Sequence, residues 1–209
     1  QFKKELKQLP EPFMSTFFTI SSHSPFDFPA EHKLSFNHKD DKYVNSVAYT
    51  DDCLGKFMES VKGEEWYENT LFVIVADHSH SSPVKRRVAQ KERYKIPMLW
   101  FGEVLSEKYK GKQHLKMGSH IDITPSILAQ LNLNNKAYDF GNDLFNTTSK
   151  SIVPYAFHKG YGLIRAEANY AFSESYNKVL GINPRYTDAY NNIGMVFFNQ
   201  GKFDEAAKY

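Results

Sequence analysis

Apolar positions alternate along this chain between short continuous runs and helical spacing. Met14 to Ile20 (MSTFFTI) is a short, β-rich apolar run closed by Ser21-Ser22-His23-Ser24-Pro25, which predicts a buried strand followed by a loop. Residues 27–41 are mostly polar and irregular. Val44, Val47, Ala48, Asp51, Leu54, Met58 and Val61 then recur mostly at helical spacing, predicting an amphipathic helix that ends near Gly63. Thr70 to Ala76 (TLFVIVA) is a continuous apolar run of strand length, as expected for a strand covered on both faces in a parallel sheet. Ile96 to Phe101 (IPMLWF) is another, with Pro97 favouring an edge or a strand start. Thr124-Pro125 predicts a helix start, the hydroxyl capping free amides and the proline occupying the first turn. Ile127, Leu128 and Leu131 supply that helix's apolar face. Strands alternating with helices imply an α/β layered domain with crossover connections.

Composition narrows the function classes. The chain has 209 residues, room for one domain and a smaller module, and 41% hydrophobic content argues against wholesale disorder. Its net charge is +2 and no basic stripe interleaved with aromatics stands out, so no nucleic-acid partner is expected. The single Cys53 excludes an internal disulfide and a cysteine-built zinc site. No apolar run reaches membrane-spanning length. Both ends, Gln1 to Leu6 and Glu205 to Tyr209, read as the interior of helices, an expectation that the chain is a piece of something longer.

Ala76-Asp77-His78-Ser79-His80 follows the apolar run directly, where open α/β sheets collect ligands at strand carboxyl ends. Asp77 and His78 can grip one ion only if the strand has ended, because neighbouring strand residues point to opposite faces. A carboxylate beside an imidazole suits Mn²⁺ or Zn²⁺ better than Mg²⁺ or Ca²⁺. The residues alone equally describe a turn with a capping aspartate and exposed histidines. His23 follows a strand end, where it could donate to an anionic oxygen, shuttle a proton, or simply be exposed. His120, in Gly118-Ser119-His120-Ile121-Asp122, precedes a helix start and suits phosphate or sulfate binding or a local loop bond. His32, His38, His114 and His158 read as surface residues.

The motifs TFFTISSHSPF, VNSVAYTDDCLGKFMES, TLFVIVADHSH, IPMLWFG and SHIDITPSILAQL occur in an order that resembles the alkaline-phosphatase superfamily, in its sulfatase and lipoteichoic-acid-synthase-like branch, over residues 10–164. The resemblance implies an α/β sandwich around a central, mostly parallel sheet, incomplete at its N-terminus. It implies a metal-dependent phospho- or sulfo-ester transferase or hydrolase acting on an anionic ester. It maps metal ligation onto Asp77 and His78 and catalytic substrate contact onto His23. Manganese is the expected ion, with zinc, magnesium or calcium as alternatives. The family nucleophile and first acidic ligand would lie upstream of the motifs seen here, and no segment before Phe13 holds them. Half an active site, weak metal binding and little turnover are therefore expected, with a membrane-anchored parent whose catalytic domain lies outside the cytoplasm.

A second pattern follows in residues 165–209. Tyr190, Ile193, Gly194, Phe197, Phe203 and Ala206 fall at the offsets of a tetratricopeptide (TPR) repeat, with Tyr176, Val179 and Pro184 fitting the end of a preceding one. Such a segment would hold a peptide or protein partner and makes a non-catalytic interaction protein the alternative function.

Overall fold

The computed structural model describes residues 1–35, 39–81, 84–87, 90–149, 151–165, 169–173 and 178–181. Two compact units emerge. One comprises residues 1–75, 82–84 and 97–110, the other residues 76–81, 85–96 and 111–209.

In the first unit, the short helix α1 (Phe2–Leu6) and the long helix α2 (Asp41–Val61) share a core. Leu6, Val61 and Trp66 are buried there, with Phe2, Phe13, Phe57, Tyr67 and Phe72 packed against them. The helical spacing read from the sequence is realised in α2, and Cys53 lies exposed on it. Buried Asn45 fastens an extended strip to this helix. Its Oδ1 accepts from the Lys33 and Leu34 amides at 2.8 and 2.9 Å, and its Nδ2 donates to Leu34 O at 2.7 Å.

Lys3 and Lys7 both reach Glu64, at 2.9 and 3.0 Å, tying α1 to the turn after α2. Hydrogen bonds from Lys3 and then Lys7 hold the Glu64 carboxyl below the ordinary value of 4.5. A depressed carboxylate stabilises the fold above its unfolded value and loses that contribution as pH falls below it. The gap in melting temperature between parent and Glu64→Gln is therefore expected to close as pH drops from 7 to about 3. A gap unchanged over that range would sink this assignment.

Strands β1 (Phe72–Val75) and β2 (Met98–Phe101) form an antiparallel pair, with Val73 opposite Trp100 and Phe72 stacked on Phe101 at 5.1 Å. Gly102 closes β2 with φ +129°, and a Cβ there would meet Thr70 O at 2.3 Å, so only glycine fits. Both expected strands form, but the parallel arrangement does not. Residues 76–97 carry only a 3₁₀ turn (Lys91–Arg93) and no crossover helix among the described residues, so the chain returns antiparallel. Nor is β1 sealed on both faces, since its residues are half-buried.

The segment Met14 to Ile20 departs further from expectation. It is not a strand, and Met14, Phe18 and Ile20 are each at least 80% exposed. Apolar β-rich composition makes a strand only where another strand offers a ladder, and none among the described residues does.

In the second unit, strands β3 (Val153–Phe157), β4 (Gly160–Ile164), β5 (Asn169–Ser173) and β6 (Lys178–Gly181) form an antiparallel meander. Every strand pairing described, in both units, is antiparallel, against the mostly parallel sheet expected. Tyr155, Ile164 and Ala171 form the buried centre, flanked by Tyr94, Met117, Val153 and Phe157. Burial, reinforced by Tyr94 4.0 Å away, pushes the Tyr155 hydroxyl up to about 12, and it donates to Asn169 Oδ1 at 3.0 Å. Pairing of β5 on β4 carries the sheet across residue 164. Val179 lies in β6, a strand rather than the repeat helix expected, while Tyr176, Pro184 and Tyr190 to Ala206 lie outside the described residues.

Helix α3 (Ile123–Gln130) forms as predicted, but its start differs. A 3₁₀ turn, His120–Asp122, precedes it and is capped by a reciprocal Ser119–Asp122 box, while α3 itself starts from Asp122 with no side-chain cap and Thr124 sits inside the helix.

Candidate metal and ester site

The Asp77–His78 pair follows β1 where the extended backbone ends. Asp77 Oδ1 accepts the His78 backbone N–H at 2.8 Å, which bends the two side chains to the same side. His78 Nδ1 lies 3.0 Å from the Ser79 carbonyl. A carbonyl only accepts, so Nδ1 carries a proton, and in the neutral ring Nε2 is the nitrogen with the lone pair. That nitrogen lies 3.5 Å from Asp77 Oδ2, with both side chains at least three-quarters exposed.

The spacing suits a shared ion. Two donors each about 2.1 Å from one cation stand about 3.0 Å apart at right angles and about 3.4 Å apart at the tetrahedral angle. A carbonyl on the remote imidazole nitrogen is also the usual outer partner of a metal-binding histidine. The residues present therefore fit a divalent ion. Among the described residues no cluster of three or more His, Cys, Asp or Glu side chains is arranged to hold one.

His120 belongs to the same unit. Its Nε2 lies 2.8 Å from the Ala76 carbonyl, the residue preceding the pair. The loop it sits on is locked from behind. Asp122, 4% exposed, accepts from Ser119 N at 2.7 Å and Asn142 N at 2.8 Å. Ser126 Oγ donates to Asp122 O at 2.5 Å and accepts from Leu144 N at 2.8 Å. Lys116 Nζ donates to the carbonyls of Asp143 and Asn146 and to Ser149 Oγ, and His114 Nε2 meets Leu144 O at 2.8 Å. Residues 114–122 and 140–149 are thus joined by side chains bonding to backbone.

His23 lies in the first unit, exposed in the turn that follows Ile20. Its backbone bonds Ile20 O and Phe26 N, and its Nδ1 approaches Ser24 O at 2.7 Å. By the same reasoning Nδ1 holds a proton, and in the neutral ring Nε2 has the lone pair of a proton acceptor. The structure brings Asp77, His78 and His120 into one neighbourhood, while His23 is described within its own unit. Of the remaining histidines, His32 stacks on Phe28 at 5.1 Å, His158 is exposed, and His38 lies outside the described residues.

One feature escaped the reading of total charge. Residues 85–95 hold Lys85, Arg86, Arg87, Lys91, Arg93 and Lys95 against a single Glu92. All these cations except half-buried Arg93 are exposed. The loop is bonded to the segment that carries Asp77 and His78: Ser79 Oγ donates to the Arg93 carbonyl, and Arg93 Nη1 donates to Arg86 O at 2.8 Å. Counting local charge in an eleven-residue window, rather than over the chain, finds it.

The Sulfatase family model matches residues 1–133, and the chain belongs to that family. Lipoteichoic acid synthase-like YvgJ of Bacillus subtilis is 27% identical over 199 residues, covering 87% of this chain and 32% of that protein. Lipoteichoic acid synthase of Staphylococcus aureus (strain USA300) is 24% identical over 166 residues, 71% of this chain and 25% of the relative. The chain thus spans a third or less of the length of these curated relatives. A crystal structure of a Vibrio parahaemolyticus protein in the alkaline phosphatase superfamily superposes with a TM-score of 0.70 at 20% identity, covering 99% of this chain and 51% of that one. That likeness supports the superfamily's α/β fold. No helix among the described residues is long and apolar enough to cross a membrane.

Proposed function

We propose that this chain carries the metal-binding and part of the substrate-binding apparatus of a phospho- or sulfo-ester transferase or hydrolase. The observation that carries this reading is the 3.5 Å approach of Asp77 Oδ2 to a His78 Nε2 whose lone pair is freed by the Ser79 carbonyl. Family membership supports it, since sulfatase and alkaline phosphatase relatives generally use a divalent metal. When bound, such an ion offsets negative charge building on the ester's oxygens.

Asp77 and His78 hold that ion, manganese being the best match to one carboxylate and one imidazole. His23, with its Nε2 lone pair, takes a proton from the reacting system or returns one to it. The cations of residues 85–95 draw an anionic ester toward the pair by charge. By likeness to the lipoteichoic acid synthases, the parent protein is membrane-anchored with this domain outside the cytoplasm.

Titration of the chain with MnCl₂ and ZnCl₂ tests the core of this proposal. One saturable ion per chain supports it, and no saturable uptake overturns it. The basic loop gives a second check. Arg86→Glu with Arg87→Glu is expected to weaken phenyl phosphate binding by about fivefold at low salt, the difference shrinking as salt rises toward about 1 M. An affinity loss independent of salt would remove the loop from the proposal.

A further inference from the structure

We infer that His120 is a positioning residue for the Asp77–His78 pair, acting through the Ala76 carbonyl and not through the substrate. The inference rests on reading that pair as the metal ligands. A peptide unit is planar, so the Ala76 oxygen, the Asp77 nitrogen and the Asp77 Cα move as one plate. A donor that holds the oxygen at 2.8 Å therefore sets where the Asp77 Cα stands.

Two further bonds continue from that plate. The His78 amide holds Asp77 Oδ1, and the Ser79 carbonyl holds His78 Nδ1. Each removes a rotation that would otherwise carry Oδ2 or Nε2 away from the other. His120 itself stands on a rigid base, because buried Asp122 ties the Ser119 amide to the Asn142 amide directly beside it. Position is thus relayed from the 140–149 loop, through the capping box, to a strand end 44 residues earlier in the chain.

The same bond argues against His120 as an anion contact. Bonding a carbonyl puts the proton on Nε2 and spends it there. In the neutral ring only the Nδ1 lone pair is then left, and it repels an anionic oxygen. The site is exposed, so the effect is that of one solvent-accessible hydrogen bond rather than of a lost ligand.

The experiment compares Mn²⁺ affinity by calorimetry for the parent, His120→Ala, His120→Gln and the Asp77→Ala, His78→Ala double variant. His120→Ala is expected to weaken binding about fivefold, the worth of one modest hydrogen bond. His120→Gln, whose side-chain amide donates over a similar reach, is expected to recover most of that loss. Nitrogen-15 spectra of the metal-free chain should show the proton on Nε2 of His120 and on Nδ1 of His78. In His120→Ala the His78 signal should shift or broaden while the melting temperature stays near the parent's.

Affinity unchanged in His120→Ala, no recovery in His120→Gln, or an Nδ1-protonated His120 each overturns the inference. If His120→Ala does not fold, the glutamine variant and the parent tautomer still decide. Loss of binding in the double variant with none in His120→Ala sinks the positioning role alone. Equal binding by parent and double variant, or no binding by the parent, sinks the metal pair and this inference with it.

Discussion

Alanine at both Asp77 and His78 is expected to abolish saturable Mn²⁺ and Zn²⁺ binding, a loss of more than about a hundredfold in affinity. Changing an outer partner of a metal ligand already costs roughly 10–100-fold, so removing the ligating atoms must exceed the top of that range. The pair is exposed and, read as metal ligands, offers only part of a coordination shell, so weak binding by the parent chain is the expected starting point. Each single variant should lose most of the affinity, because a shell left with one protein ligand gives up the chelate. His158→Ala, an exposed histidine on the β3–β4 turn, is the control and should bind as the parent does. Binding that survives the double change would place the ion elsewhere and remove the central support for an ester-cleaving site.

Asp122→Ala is expected to destabilise the second unit by about 3 kcal/mol, read as a lower urea midpoint at unchanged slope. Two backbone amides, of Ser119 and Asn142, donate to this carboxylate at 2.7 and 2.8 Å, and it is 4% exposed. Bonds to a charged acceptor are worth more than neutral ones, and removing that acceptor leaves two donors in a space closed to water. Asp122→Asn keeps one carbonyl oxygen but turns an NH₂ toward the other amide, so it should lie between parent and alanine. A loss below about 1 kcal/mol for alanine would mean that the 140–149 segment is held by Lys116 and Ser126 instead.

Asp77, His78 and Asp122 show how unevenly candidate function and structure are written in the chain. Asp77 and His78 were legible as candidates because a polarity switch after TLFVIVA marks a strand end, and a carboxylate next to an imidazole there has recognisable chemistry. Asp122 was not, because an aspartate before a helix reads as an ordinary cap. Its reach to Asn142, twenty residues on, depends on a loop path that no local spacing encodes. His120 was legible as a candidate, but its partner, the Ala76 carbonyl, was hidden for the same reason. The basic run at 85–95 was present in the sequence all along, masked by a chain-wide balance of 26 basic and 24 acidic residues.

The sequence by itself determined where α2, β1, β2 and α3 lie, because apolar period and proline placement act within a few residues. It also determined the family, through the order of its motifs, and the donor chemistry of the Asp77–His78 pair. Tertiary structure alone decided that the strands pair antiparallel, that residues 14–20 stand exposed, and that 169–173 and 178–181 extend the sheet from β4. It alone decided that His120 meets the Ala76 carbonyl. The physical reason is common to all of these. A strand needs a partner's ladder and His120 needs a carbonyl 44 residues earlier in the chain, and local periodicity carries no information about either.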